Sequence, residues 1–165
     1  MVDLARRSLF RSRKRIPQLS QQRLPWLINE STFTDQCTRC EKCIVLCETK
    51  IIVKGDGGFP IVDFQKGECT FCGECVSACP EPLFQPVSAK PWQHKISLAD
   101  DACLARQSVE CRSCGELCEP GAIRFQLTLG SVAQPKIEAD ECTGCGACVA
   151  VCPTQAIAIK LEEQE

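Results

Sequence analysis

Sixteen cysteines fall into four groups that share nearly one rhythm, and any fold open to this 165-residue chain has to serve that rhythm. The first group is Cys37-x2-Cys40-x2-Cys43-x3-Cys47, and the second is Cys69-x2-Cys72-x2-Cys75-x3-Cys79-Pro80. The third, Cys103-x7-Cys111-x2-Cys114-x3-Cys118, is stretched at its start; the fourth, Cys142-x2-Cys145-x2-Cys148-x3-Cys152-Pro153, is regular again. The groups also agree outside their cysteines. Asp35, Glu68, Asp101 and Asp140 stand one or two places before the first cysteine of each, and Ile52, Phe84, Ile123 and Ile157 stand five after the last. Shared flanks of this kind mark four versions of one structural unit.

Three cysteines at two-residue intervals wrap a loop around one iron–sulfur cube and ligate three of its irons. The three-residue step that follows opens a short helix, as in Cys148-Val149-Ala150-Val151-Cys152. Zinc takes two separated pairs instead, so this rhythm is the wrong one for it. Disulfides need an oxidising compartment, and no apolar export segment follows the basic start; Ile16 to Gln22 is mostly polar and broken by Pro17. With no run apolar enough to span a bilayer, the expected location is cytoplasmic. The chemistry that remains is four [4Fe–4S] clusters on sixteen thiolates.

In two-cluster ferredoxins the fourth thiolate ligates the other cluster. Carried over here, Cys37, Cys40, Cys43 and Cys79 hold one cluster, and Cys69, Cys72, Cys75 and Cys47 its partner. The later pair would be Cys103, Cys111, Cys114 with Cys152, and Cys142, Cys145, Cys148 with Cys118. The x7 gap leaves open a [3Fe–4S] cluster that Cys103 does not touch, although Asp101 keeps the flanking pattern. Gly73, Gly115, Gly144 and Gly146 are expected to let backbone N–H groups approach the sulfides.

Ile51 to Lys54, a glycine-rich turn and Phe59 to Val62 read as a β-hairpin between the first two groups. A longer one is expected from Ile123 to Ile137. The predicted fold is α+β: two tandem bacterial-ferredoxin-like 2[4Fe–4S] modules of short helices and β-hairpins, behind a disordered basic N-terminal tail. The tail covers 1–33, the modules 34–86 and 99–165, and a linker 87–98. Without its cysteines the chain is only roughly a third apolar, too little for such small modules to fold on burial alone. Metal binding and folding should be one event.

Residues 1–15 carry six basic side chains and one Asp, so the remainder is acidic before any cluster adds its own negative charge. Nucleic acid is therefore not expected as a partner. His94 reads as an ordinary surface residue, and Phe71 as a shield of a cluster against water. There is no phosphate-binding glycine loop and no nucleophile–base arrangement, so the chain is not expected to be an enzyme. Arg6-Arg7-Ser8-Leu9-Phe10 looks like a twin-arginine motif but lacks the apolar region for export.

The chain carries CTRCEKCIVLCE at 37–48, GFPIVDF at 58–64, CPEPLF at 79–84 and DACLARQSVECRSCGELCEPGAI at 101–123, behind the Arg6-Arg7 tail. Together they resemble the NapF group, the ferredoxin-type accessory proteins of the periplasmic nitrate reductase system. The resemblance runs nearly end to end, and the x7 gap is its most particular mark. It implies a cytoplasmic four-cluster protein that binds the catalytic molybdoenzyme subunit as its cytoplasmic precursor and helps that subunit acquire or reductively condition its iron–sulfur cluster. The tail departs somewhat from the group's pattern. A plain electron-transfer ferredoxin, or an electron-relay subunit serving other redox proteins, is the alternative that needs only the cysteines.

Overall fold

The computed structural model describes residues 22–161. Each cysteine group ends in a short helix: α2 (Lys42–Leu46), α3 (Glu74–Ser77), α4 (Ser113–Glu116) and α5 (Ala147–Ala150), preceded by α1 (Glu30–Gln36). The loops that feed these helices follow one design. In groups one, two and four the residues before and after the middle cysteine are left-handed: Arg39 and Glu41, Phe71 and Gly73, Gly144 and Gly146. Paired left-handed residues turn the backbone amides inward around a common point, a concavity suited to anionic sulfur. The stretched third group lacks this pair and has Ser108 left-handed instead.

The two expected hairpins form. β1 (Ile52–Lys54) pairs with β2 (Pro60–Val62), and β4 (Ile123–Gln126) with β5 (Gln134–Ile137), both antiparallel. The apolar residue five places after each fourth cysteine has a structural task. Ile52 pairs with Val62, Ile123 with Ile137, Ile157 with Leu98, and Phe84 with Leu27 through an isolated bridge. Each group thus ends by adding a paired residue to a small sheet or bridge.

Two segments outside the expected modules take part in the fold. The linker at 87–98 contains a strand, β3 (His94–Leu98), which pairs antiparallel with β6 (Ile157–Leu161). The tail was expected to reach residue 33, yet Leu24, Trp26 and Phe33 are 1, 3 and 1 % exposed. Val62 donates its amide to the Gln22 carbonyl, and Gln85 donates to that of Trp26. Residues 22–28 therefore serve the first half of the fold as β3 serves the second. Asn29 then caps α1 by accepting from the Thr32 amide at 2.8 Å. The reading of the tail as disordered otherwise falls on residues outside those described.

Between the halves lies a small aromatic core. Trp92 packs against His94, Phe64 and Phe71 with ring centroids 4.7, 5.6 and 5.7 Å away, and Phe71 meets Trp26 at 6.2 Å. The indole nitrogens are satisfied by the Ala89 carbonyl for Trp26 and the Arg23 carbonyl for Trp92. No described helix is long and apolar enough to cross a membrane.

Candidate metal centre

Folding gathers the eight cysteines of the first half around two apolar-walled cavities. Cys37, Cys40, Cys43 and Cys79 line one, walled by Leu24, Phe33, Pro60, Leu83 and Phe84. Cys47, Cys69, Cys72 and Cys75 line the other, walled by Trp26, Ile51, Ile52, Val62 and Phe71. In both, three sulfurs come from one group and the fourth from the other group. Phe71 lies on the wall of the second cavity, where a shield against water would stand.

In the second half the grouping shows in the electrostatics. Burial pushes the Cys114 thiol up to about 11, and Cys111, Cys152 and Cys103 add to the shift. The Cys148 thiol is pushed up to about 12, first by burial, then by Cys145 and Cys142, with Cys114 and Cys118 also in reach. The first half has counterparts: burial takes Cys43 to about 11, with Cys37, Cys79 and Cys40 behind it, and Cys75 to about 12. Buried, mutually repelling thiols resist ionisation unless a cation replaces the protons.

Contacts link the four sets one after another. Cys75 lies within electrostatic reach of Cys43, and Cys148 within that of Cys114, which ties the two sets inside each half. Across the halves, the Cys69 amide donates to the Cys145 carbonyl at 2.8 Å. The order is Cys37 set, Cys69 set, Cys142 set, Cys103 set. No group of three or more His, Cys, Asp or Glu side chains among the described residues is arranged for a single metal ion. Four soft sulfur donors spread around a cavity suit a larger inorganic core, and the residues present fit a cube of iron and sulfide.

Cys47, followed by Glu48, is extended at φ −63° and ψ 114°. Of the glycines singled out above, Gly73, Gly144 and Gly146 are left-handed, but Gly115 is not. A Cβ on Gly115 would lie 2.8 Å from the Phe125 ring, so close packing explains that glycine.

Sequence reasoning misplaced His94. Its imidazole is 2 % exposed, stacks beside Trp92, and donates from Nε2 to the Gly144 carbonyl at 3.0 Å. Burial holds its pKa below the ordinary range, and Nδ1 has no partner among the described residues, as suits a neutral ring. It thereby fixes the loop between Cys142 and Cys145. The only sequence hint was its place beside a tryptophan, because the loop it holds is fifty residues further on.

A family model described as a 4Fe-4S dicluster domain matches residues 36–83, and another with the same description matches 108–156. The ferredoxin-type protein NapF of Escherichia coli (strain K12) is 46 % identical over 156 residues, covering 94 % of each chain. NapF of Haemophilus influenzae is 52 % identical over 135 residues, 82 % of this chain and 76 % of that one. The ferredoxin-type protein NapG of Escherichia coli (strain K12) is 29 % identical, over 84 % of this chain and 69 % of its own. Two dicluster domains and sixteen cysteines make a complement of four [4Fe–4S] clusters.

Such clusters contribute one-electron exchange when bound; the protein sets their order, their walls and the hydrogen bonds to their sulfurs. Stripping iron with a chelator is expected to abolish the fold of both halves, since little apolar core remains without the metal. Far-UV circular dichroism before and after chelation checks this. A spectrum that survives iron loss would show that the chain stands on its apolar contacts alone.

Proposed function

This chain belongs to the NapF family of ferredoxin-type iron–sulfur proteins, and on that footing we propose that it assists maturation of the catalytic subunit of a periplasmic nitrate reductase. It acts in the cytoplasm, before that subunit is exported, by helping its iron–sulfur cluster to be acquired or reductively conditioned. The observation that carries this reading is the NapF likeness over 94 % of both chains. The clusters are held in crossed sets, as in bacterial two-cluster ferredoxins: Cys37, Cys40, Cys43 with Cys79; Cys69, Cys72, Cys75 with Cys47; Cys142, Cys145, Cys148 with Cys118; Cys103, Cys111, Cys114 with Cys152. The modules are centred on 34–86 and 99–165, to which residues 22–33 and 94–98 each add a pairing segment.

A general electron-relay role is the second reading. The hydrogen bond between Cys69 and Cys145 favours it, because it ties the inner sets of the two halves together. Anaerobic co-purification of the tagged protein from cell extract separates the two. Recovery of the molybdoenzyme precursor, reduced when residues 1–15 are removed, is the expected result for maturation. Recovery of a flavin or quinol-linked reductase complex in its place would transfer the assignment to the relay.

A further inference from the structure

The four fourth-position cysteines are not equivalent two residues further on. Thr49 follows Cys47 and Thr154 follows Cys152, whereas Glu81 follows Cys79 and Pro120 follows Cys118. Both threonine hydroxyls turn back to the sulfur. Thr49 Oγ1 lies 3.6 Å from Cys47 Sγ, and Thr154 Oγ1 lies 3.7 Å from Cys152 Sγ. Cys152 Sγ also accepts from the Ala156 amide at 3.2 Å. In the same crossed set, Ser113 Oγ lies 4.0 Å from Cys111 Sγ. Proline offers no such donor at 120, and at 81 the side chain is a carboxylate on the wall of the Cys37–Cys79 cavity.

A hydrogen bond into a thiolate draws charge off the sulfur and favours the more negative, reduced form of its cluster, whereas a nearby carboxylate disfavours it. We propose that Thr49 and Thr154 are potential-setting residues. They raise the reduction potentials of the Cys69–Cys72–Cys75–Cys47 and Cys103–Cys111–Cys114–Cys152 clusters. The proposal rests on the crossed four-cluster reading given above. In the Cys103 set, hydroxyls face both Cys152 and Cys111.

The test uses the full chain, purified anaerobically with all its iron, and the variants Thr49→Val and Thr154→Val. Valine keeps the shape and removes the hydroxyl; Thr49→Ser and Thr154→Ser restore it. Potentials are read by dithionite titration followed by electron paramagnetic resonance, and iron–thiolate stretching by resonance Raman. Each valine variant is expected to shift one reduction step to lower potential with the iron count unchanged. The serine variants should titrate like the parent chain. Unchanged potentials at full iron content would overturn the proposal and leave the four-cluster reading intact. Loss of iron in the valine variants, restored by serine, would make the threonines structural and overturn it too. A parent chain without four clusters would remove the reading on which both rest.

Discussion

Cys152→Ala is expected to destroy or convert the cluster at Cys103, Cys111 and Cys114, and to leave the one at Cys142, Cys145 and Cys148 intact. Cys152 is only four residues from Cys148 in sequence, so a local scheme predicts the opposite. The electrostatics favour the crossed scheme, since Cys152 bears on Cys114, and Cys118 bears on Cys148 together with Cys114. Losing one thiolate of four frees one iron, and a [3Fe–4S] signal or the loss of one cluster should follow. Double variants make the assignment. Cys152→Ala added to Cys103→Ala should cost no further cluster, because both strike one site. Added to Cys142→Ala it should cost a second. Iron analysis with low-temperature electron paramagnetic resonance reads both, and the reverse pattern would replace the crossed scheme with a local one.

Gly146→Ala is expected to be among the most damaging substitutions outside the cysteines. The residue is left-handed at φ +84°, and a Cβ there would lie 2.0 Å from Phe64 Cδ1. The Phe64 ring is buried and held between Trp92 and His94, at 5.6 and 5.9 Å, so it has little room to yield. Strain and overpacking together should cost on the order of 2–6 kcal/mol, a large share of an ordinary domain's stability. Because the residue sits at the seam, the contact between the Cys69 and Cys145 loops should loosen with it. Gly130→Ala supplies the control. It is left-handed at φ +75° with nothing within 4 Å of a Cβ, so only the strain applies, about 1–2 kcal/mol. Anaerobic thermal unfolding, followed by loss of the cluster absorption, should rank Gly146→Ala well below Gly130→Ala and the parent. Equal midpoints for the two variants would mean that the seam adapts.

Much was legible because the chemistry is local. Three cysteines with two residues between each, a short helix and an apolar residue five places on lie within some fifteen residues of chain, and such a unit can be read wherever it stands. The hairpins at 52–62 and 123–137 were readable for the same reason. The Leu27–Phe84 bridge and the β3–β6 pairing were not, because each joins segments nearly sixty residues apart that have no mutual signature. Polar residues around Leu24 and Trp26 made that segment look like the end of a tail, and prolines made 86–91 look like a linker. His94 was misjudged likewise: one histidine in a polar stretch carries no sign of the loop that will bury it.

The cysteine spacing by itself determined the four units and their cluster complement, because ligand rhythm is a property of contiguous chain. Only the tertiary structure decided the order of the four sets, the seam where Cys69 meets Cys145, and the rings that close it. Those depend on which distant surfaces bury one another, and burial is settled between segments rather than within them.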